Sequence, residues 1–345
     1  MAVNKSLLST GASSSGVAAF TGTNTDHLVI GTYTGNRPNT QSINTGFKPD
    51  LLMIKTVFAD HSSIMDSTRG NRMFSWNTAG ADEDFSGGVT LDSSGFTVKN
   101  SGQANTNGGV HTYVVFKANG GTTSTLSAGD INATAQVNST TGFAILQWNG
   151  NYTSGSTMAH GLPAAPKLFM IARTSHGENK RSFWYYNAVG NQDPPYQITV
   201  DNASGDGSAS SAADTLHHGT VADDTYIYFG NDPSVNYTSS YQYIGYAWCE
   251  VPNFSSFGAY TGNGSTQRIS LNSSFQPRLI YIKSFDSGGE WYQAHGSRAW
   301  KTTNLNDSTA EQSATISNTG SGYFDLSDQD DTNENNKVYW YYAFV

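Results

Sequence analysis

The feature that most constrains the fold of this chain is a tetrapeptide, YTGN, that occurs at 33–36 and again at 260–263. A degraded copy, WNGN, lies between them at 148–151. The aromatic residues that open the three copies are 115 and then 112 residues apart. Nearly even spacing of one motif is the sequence signature of a repeated structural unit, so the chain is predicted to contain three copies of one unit.

Three further landmarks recur in the same order. A proline opens an apolar run 16, 18 and 17 residues after the aromatic anchor, in PDLLMIKT, PKLFMIART and PRLIYIKS. A glycine-aromatic segment follows in SSGFTV and SGYFDL, with YIYFGN as a weaker middle copy, and each copy closes on YVVFKA, YAWCEV or YYAFV. The landmarks predict an N-terminal arm over 1–26, unit 1 over 27–118, a semi-flexible linker over 119–140, unit 2 over 141–254 and unit 3 over 255–345.

The composition indicates strands. The chain is rich in Gly, Ser, Thr, Asn, Tyr and Phe, and its apolar runs of four to eight residues are separated by turn-forming clusters. We therefore predict an all-β fold of three tandem β-sandwich, jelly-roll-like units behind an extended arm. The alternative is one closed assembly in which the repeats share sheets. In either case Leu51, Leu168 and Leu279 are expected to be equivalent and buried.

Charge and cysteine content exclude several classes of function. The net charge is −9 and the 18 basic residues are scattered, so direct nucleic-acid binding is not expected. No segment has the apolar length of a transmembrane helix, and the first 26 residues lack the hydrophobic core of a signal peptide. We interpret these residues as an arm that docks on a partner. The single cysteine, Cys249, is predicted to be a small buried apolar residue.

Aromatic and basic side chains supply the candidate binding residues. Trp184-Tyr185 and Trp291-Tyr292 follow the proline-led runs of units 2 and 3, where unit 1 has Ile64-Met65. A core role is favoured for them, and a sugar-stacking platform is the alternative. Unit 2 also carries the only local run of basic charge, Lys180-Arg181. A solvated hairpin tip is the favoured interpretation of this run, and the alternative is a site that steers an anionic glycan or an acidic subunit. The candidate binding residues are Lys180, Arg181, Trp184, Tyr185, Trp291 and Tyr292.

No catalytic or metal site is predicted. The acidic clusters at 82–84, 223–224 and 325–331 could in principle hold a glycosidase pair, but solvated loops are the favoured interpretation. The segment DLSDQDDTNENN lacks the turn glycine and distal glutamate of an EF-hand loop, so it is interpreted as a polar hairpin tip. We expect no metal, no cofactor and no enzymatic activity.

The ordered landmarks, together with a DS-x-RG box, resemble a repeat family of tailed bacteriophages whose members occur in tail fibres and other virion-associated proteins. The box is complete at 66–70, and units 3 and 2 offer only HGSR and YYNAVG. The resemblance covers about 27–345. It implies a location on the virion and contacts with other virion proteins through the arm.

Three hypotheses of function follow from the residues and the resemblance. The first is a structural virion protein, exposed as a tail-associated fibre or adhesin or as a capsid decoration protein. The second is a lectin-like protein that binds a host surface glycan, and the third is a glycan depolymerase. A homo-oligomer is expected in each case, because repeated modules gain avidity when presented many times.

Overall fold

The computed structural model describes residues 17–76, 82–175, 222–284, 290–305, 308–328 and 330–345, together with the backbone of three strands at 181–185, 197–199 and 209–210. These residues form an almost purely β structure, as predicted, in six antiparallel sheets. Within the described part of the chain, the helices are too short to cross a membrane.

Unit 1 contains a large sheet and a small sheet. The large sheet has the order β1-β9-β3-β4-β5-β6 and the small sheet has the order β2-β8-β7. A short helix, α1 (Gly102–Asn105), precedes the closing strand. The strands are β1 (Leu28–Thr34), β2 (Gln41–Asn44), β3 (Leu51–Thr56), β4 (Ser63–Asp66), β5 (Arg72–Phe74), β6 (Glu83–Asp84), β7 (Val89–Asp92), β8 (Gly95–Val98) and β9 (Val110–Phe116).

Unit 2 has the longest sheet, with the order β10-β11-β12-β19-β14-β15-β16-β17, and a small sheet in which β13 pairs with β18. The strands are β10 (Ser124–Leu126), β11 (Ala133–Asn138), β12 (Phe143–Asn149), β13 (Ser156–Ala159), β14 (Leu168–Arg173), β15 (Arg181–Tyr185), β16 (Gln197–Thr199), β17 (Ala209–Ser210), β18 (Tyr226–Phe229) and β19 (Gln242–Trp248).

Unit 3 has a large sheet of order β20-β27-β22-β23-β24 and a small sheet of order β21-β26-β25. A second short helix, α2 (Asp330–Asn333), precedes its closing strand. The strands are β20 (Ser255–Thr261), β21 (Gln267–Ser270), β22 (Leu279–Ser284), β23 (Trp291–His295), β24 (Thr302–Asn304), β25 (Ile316–Gly320), β26 (Tyr323–Leu326) and β27 (Val338–Phe344).

The first strand, the closing strand and the proline-led strand lie side by side in the same order in all three large sheets, as β1-β9-β3, β12-β19-β14 and β20-β27-β22. Leu51, Leu168 and Leu279 stand directly opposite the last aromatic residue of their closing strand, and all three are buried. The prediction that these leucines are equivalent and buried is confirmed. The common strand order supports the triplicate interpretation.

The predicted linker over 119–140 is wrong in part, because β10 and β11 lie within it and extend the large sheet of unit 2. Ala133 and Ala135 are buried under that sheet. The small, polar composition that suggested a flexible segment instead suits β11, which lies inside the sheet, because its alanines at alternate positions pack closely on one face. Units 1 and 2 are therefore joined by folded structure.

Three aromatic residues, one from the end of each closing strand, meet where the large sheets face one another. The ring centroids of Phe116 and Phe344 are 5.3 Å apart, those of Phe116 and Trp248 are 5.4 Å apart, and those of Trp248 and Phe344 are 6.3 Å apart. We call these three residues the aromatic hub. The other closing aromatics are also core, since all of the following side chains are buried: Tyr113, Phe116, Tyr246, Trp248, Tyr342 and Phe344.

The six sheets each belong to one unit, so the repeats do not share sheets. They do share a core, because one continuous set of buried apolar side chains runs through the hub and draws on all three units. In unit 1 a second buried cluster, which includes Leu52, Phe96 and Val115, fills the space between the large and the small sheet. The buried apolar side chains on the hub-facing side of each large sheet therefore hold the three units together as one body.

Part of the predicted arm is packed on the body. The Phe20 side chain is buried, and its ring lies 5.0 Å from Phe254 and 5.4 Å from His27. The Phe20 amide donates to the Pro252 carbonyl at 2.8 Å. The fold therefore begins before the predicted boundary at residue 27, and residues 1–16 lie outside the described residues.

The YTGN motif ties the first strand of each unit to the turn before its closing strand through a side-chain hydrogen bond. The Tyr33 hydroxyl donates to the Ala104 carbonyl (2.5 Å), and the Tyr260 hydroxyl donates to the Thr332 carbonyl (2.6 Å). In unit 2 the Trp148 ring N–H donates to the carbonyl of Val235 at 3.0 Å. The anchor thus needs an aromatic ring with a polar tip, which explains why tryptophan can replace tyrosine.

The glycine of the motif is required by close packing against the same turn. A Cβ atom on Gly35 would lie 2.1 Å from the Thr106 carbonyl oxygen, and one on Gly262 would lie 2.3 Å from that of Glu334. At Gly150 the distance to the Tyr237 carbonyl oxygen would be 1.9 Å. Only a residue without a side chain lets the two backbones approach this closely.

Replacing Gly262 with alanine is expected to lower the free energy of unfolding by about 1–3 kcal/mol, because the backbone must move to relieve the overlap. The measurement is urea unfolding of the full chain. Gly87→Ala is the control, since Gly87 is exposed and a Cβ atom placed there would meet no other atom within 4 Å. Equal unfolding midpoints for the two variants would show that the close packing of Gly262 against this turn does not contribute to stability.

Candidate functional site: the junctions between the three sheets

The DS-x-RG box of unit 1 forms the turn after β4. Asp66, the last residue of that strand, accepts hydrogen bonds from the backbone N–H groups of Thr68 (3.0 Å) and Arg69 (2.9 Å). Ser67 donates to the Asp50 carboxylate at 2.5 Å, and Gly70 has a φ of +76° that favours glycine. The local sequence therefore specifies a tight turn that holds Asp66 and Arg69 side by side.

A buried ion network joins this turn to unit 2. Arg69 Nε donates to Asp66 Oδ2 at 2.6 Å, and its Nη1 donates to Asp82 at 3.1 Å. The Tyr246 hydroxyl, on the closing strand of unit 2, donates to Asp66 Oδ2 at 2.8 Å and accepts from Arg69 Nη2 at 3.3 Å. Arg69 and Asp66 are almost fully buried, so a desolvated ion pair of unit 1 is hydrogen-bonded to unit 2 through Tyr246.

Electrostatics fix the protonation state of the network. Burial works to lower the pKa of the Arg69 guanidinium, but the neighbouring Asp66, Tyr246 and Asp82 raise it above its usual value. Burial and the Asp66 charge raise the pKa of the Tyr246 hydroxyl well above its usual value, so this hydroxyl remains a donor. Arg72, which is half exposed, adds a bond to Asp82 at 2.7 Å and balances its charge.

A second contact reinforces the same junction. The Gln136 amide, buried on β11, donates to the hydroxyls of Ser67 and Thr68, both at 2.8 Å. Its carbonyl oxygen accepts from the Gly121 N–H at 2.8 Å. The β10–β11 hairpin of unit 2 is therefore hydrogen-bonded to the DS-x-RG turn of unit 1.

Unit 1 also contacts unit 3. The Ser62 hydroxyl donates to the Leu305 carbonyl at 3.4 Å, and the Glu311 backbone N–H donates to the Val57 carbonyl at 2.9 Å. Ile30 on β1 packs against the same apolar core as Trp300, which follows β23. Unit 1 thus contacts both unit 2 and unit 3. Units 2 and 3 are joined by the chain itself and by the Trp248–Phe344 contact, so the three large sheets meet at the hub.

The charged box is specific to unit 1. Asp66 stands opposite Leu51, and the residues opposite the equivalent leucines are Tyr185 in unit 2 and His295 in unit 3. His295 is buried and its ring shares a hydrogen bond with the Ser297 hydroxyl at 2.7 Å. HGSR therefore occupies the position of the box with a histidine in place of the aspartate, and its Arg298 pairs instead with Glu311 at 2.7 and 2.5 Å.

Two buried histidines make the stability of the body sensitive to acid. Burial lowers the pKa of His111 to about 4 and that of His295 to about 4, whereas an exposed histidine titrates near 6.5. As the pH falls below about 6.5, the unfolded chain takes up protons that the folded chain does not bind. The contribution of these two histidines to the free energy of unfolding is fully present above that pH. It is lost as the pH falls to about 4, by up to roughly 1.4 kcal/mol per pH unit for each histidine.

Replacing His111 with tyrosine is expected to remove its share of this pH dependence. Tyrosine fits the position, because Tyr243 and Tyr339 occupy the same register in units 2 and 3 and stack on the anchor as His111 stacks on Tyr33. Urea midpoints at pH 7 and pH 5 should therefore differ less in the variant than in the parent chain. A His61→Tyr change, on an exposed loop, should leave the parent difference in place.

The aromatic candidates of unit 3 are core residues. Trp291 and Tyr292 are 1% and 4% exposed, so neither ring offers a face on which a sugar could stack. Their predicted correspondence with Trp184 and Tyr185 is also wrong. Trp184 stands opposite Phe169, one residue after the equivalent leucine, whereas Trp291 stands opposite Lys283, four residues after it. The leucines pair with residues 17 and 16 positions later, so the two hairpins differ in length by one residue, and the Trp-Tyr dipeptides lie at different points along their strands.

The remaining candidates belong to the β14–β15 hairpin of unit 2. Arg181, Trp184 and Tyr185 lie on β15, whose backbone pairs with β14. Their side chains, and Lys180 as a whole, lie outside the described residues. Their binding role stays a prediction.

Several carboxylates of the acidic clusters are engaged in local structure. Asp82 is buried and pairs with Arg69 and Arg72, and Asp325, on β26, pairs with Arg268. Asp223 accepts from two backbone N–H groups and from the Tyr228 hydroxyl, which are bonds to neighbours in its own turn. The interpretation of the acidic clusters as solvated loops is therefore wrong for Asp82 and Asp325.

Comparison with known families matches the chain to DUF7483, a domain of unknown function, over residues 23–345. The chain belongs to the DUF7483 family. The DUF7483 match spans all three units, so the family corresponds to the whole body around the hub and not to a single unit. No curated protein matches the chain.

Sequence reasoning missed one asparagine that recurs in each unit of this DUF7483 chain. Asn105, Asn236 and Asn333 are fully buried, and each accepts from the backbone N–H of the motif asparagine, at 2.8, 2.7 and 3.1 Å. Their amide groups donate to neighbouring loop carbonyls. The signal was present, because an asparagine stands five or six residues ahead of every closing strand.

Proposed function

We propose that the chain is a structural protein of a bacteriophage particle, displayed on the particle surface as a tail-associated fibre component, an adhesin or a capsid decoration protein. One observation carries the proposal: three sheets close around a shared aromatic hub and are cross-linked by a buried ion network. Cross-links of this kind resist the bending of one unit against another. The resemblance of the repeated landmarks to virion-associated proteins supplies the setting.

The chemistry of the single cysteine agrees with this role. Cys249 is buried beside the hub, and burial raises the pKa of its thiol to about 12, so it is held as an unreactive thiol at neutral pH. A virion protein is assembled in a reducing cytoplasm and then works outside the cell. A body held by packing and buried hydrogen bonds serves in both places without a change of redox state.

A surface role also fits the way the body presents its residues. The hub-facing sides of the large sheets are buried. In sequence, the stretch between the common strands β14 and β18 is longer than its counterparts in units 1 and 3, and long connections between strands are the usual sites of partner contact. Contacts with other virion proteins through the N-terminal arm, and a homo-oligomeric state, are part of the proposal.

The test is the location of the chain in purified particles of a phage that encodes it. An antibody raised against the purified chain should label the particle surface in electron micrographs, and mass spectrometry should find the chain in many copies per particle. Detection in infected-cell lysate alone, with particles free of the chain, would reject the proposal. Labelling confined to the tail or to the capsid separates the fibre role from the decoration role.

A further inference from the structure

Unit 2 has a small open cavity of about 280 Å³ between the hairpin β10–β11 and the ends of β12 and β19. This volume is close to the lower end of the roughly 300–1,000 Å³ that is common for small-molecule pockets. Its wall is mostly polar side chains that carry no charge. The lining residues used below are Asp130, Asn132, Thr134, Gln147, Asn149 and Gln242.

The strand register places these side chains on one face. Thr134 stands opposite Gln147, and Asn149 stands opposite Gln242, in neighbouring strands of the same sheet. Residues two apart on a strand point to the same side, so Gln147 and Asn149 are neighbours on that face. The result is a patch of amide and hydroxyl groups spread over three adjacent strands.

The hydrogen-bonding capacity of the patch is largely unused. Within the described structure, the side chains of Asn132, Gln147 and Gln242 make no hydrogen bond to another protein group. Asn149 uses its amide N–H to reach the Ser239 carbonyl at 3.1 Å and leaves its side-chain oxygen free to accept. An amide offers donors and an acceptor together, so a ligand rich in both is the natural complement.

The charge of the cavity narrows the ligand class. Among the described residues that line it there is no lysine or arginine, and Asp130 is the one acidic residue. Hydrogen bonds from Thr157 hold the pKa of Asp130 below its usual value, and the same two bonds (2.9 and 2.8 Å) occupy only one of its oxygens. A carboxylate in an acidic protein disfavours anionic ligands, while its second oxygen can accept from a hydroxyl.

The amide patch is peculiar to unit 2. At the positions of Gln147, Asn149 and Gln242, unit 1 has Thr32, Thr34 and Val110, and unit 3 has Ala259, Thr261 and Val338. The hairpin that forms the other wall also extends only the sheet of unit 2 among the described sheets. The same three-strand scaffold thus carries a patch of long amides in one unit and short or apolar side chains in the other two.

We infer that this cavity is a binding site for a neutral saccharide, with room for about one sugar ring at the end of a glycan chain. Gln147 and Gln242 would bind adjacent hydroxyls, and Asp130 would accept from a third. The site is separate from the β15 residues and does not depend on where the protein is located, so failure of the virion proposal would leave it untouched.

The test uses the full chain and a panel of free sugars, namely glucose, galactose, mannose, rhamnose and N-acetylglucosamine, with glucuronic and N-acetylneuraminic acids as the anionic arm. Saturation-transfer NMR identifies binders, and calorimetry measures their affinity. The test variant, Gln147→Thr with Gln242→Val, installs the residues that unit 1 carries at these positions and is therefore expected to fold. Circular dichroism and the melting temperature verify that it does.

At least one neutral sugar should bind, and the double variant should bind it about tenfold more weakly or worse, because two hydrogen-bonding side chains are lost. The control variant, Thr34→Ala with Thr261→Ala, changes exposed positions equivalent to Asn149 in the other units and should bind as the parent does. Binding of no sugar, binding of the anionic sugars alone, or equal binding by parent and test variant would each overturn the inference.

Discussion

Replacing Arg69 with methionine is expected to lower the free energy of unfolding by about 3–5 kcal/mol, the range found when one partner of a buried ion pair is removed. The loss is large because Asp66 stays buried and keeps the Tyr246 hydroxyl and two backbone N–H groups as its remaining donors. Methionine fills much of the same volume, so the effect reports the charge and its hydrogen bonds more than a cavity. Urea unfolding at neutral pH and low salt measures it.

The matched control is Arg268→Met. Arg268 also pairs with an aspartate, Asp325, through two hydrogen bonds of 2.7 and 2.9 Å, but its side chain is 56% exposed. Exposed pairs contribute about 0–1 kcal/mol. Similar losses in the two variants would show that burial of the Arg69 network does not matter, and would remove the junction as a reason for the stiffness of the body.

Replacing Trp248 with alanine should also cost about 3–5 kcal/mol, as for other buried tryptophans. The side chain touches all parts of the hub, since it stacks on Phe143 (4.9 Å) and lies beside Phe116 and Phe344. Because the three units share this core, calorimetry should still show one transition, shifted as a whole to lower temperature. Two transitions, with one at the parental temperature, would mean that the units unfold independently of one another.

Phe58→Ala serves as the control for this change. Phe58 follows β3 and is 55% exposed, so its truncation should alter stability by no more than about 0.5 kcal/mol. A loss comparable to that of Trp248→Ala would indicate that aromatic area at any position, and not the hub, governs stability.

Much of the fold followed from local patterns. Proline-led apolar runs became β3, β14 and β22, the glycine-aromatic segments became β8, β18 and β26, and the aromatic ends became β9, β19 and β27. These elements were predictable because strand-forming side chains and turn residues are set within a few positions of one another. The anchors Tyr33, Trp148 and Tyr260 also fall at the same register position of their strands.

Contacts between distant residues were not predictable in the same way. Tyr246 is core by its pattern, but its bond to Asp66 crosses 180 positions, and one chain without aligned relatives carries no signal of such pairing. The β10–β11 segment has the composition of a loop, while its role is set by the neighbouring β12, so the linker prediction failed there. The predicted equivalence of Trp184, Trp291 and Ile64 failed because they lie at different points along their strands, opposite the first, fourth and second residue after the equivalent leucine.

The aromatic hub has a consequence for how the chain matures on the ribosome. Phe116 and Phe344 are 228 positions apart, so the hub cannot be completed until the last strand has been synthesised. Until then Phe116, Trp248 and their neighbours are exposed to solvent and to other nascent chains, a state that favours aggregation. A chain truncated before β27 should therefore appear in inclusion bodies, and supplying that strand as a separate peptide should recover soluble protein.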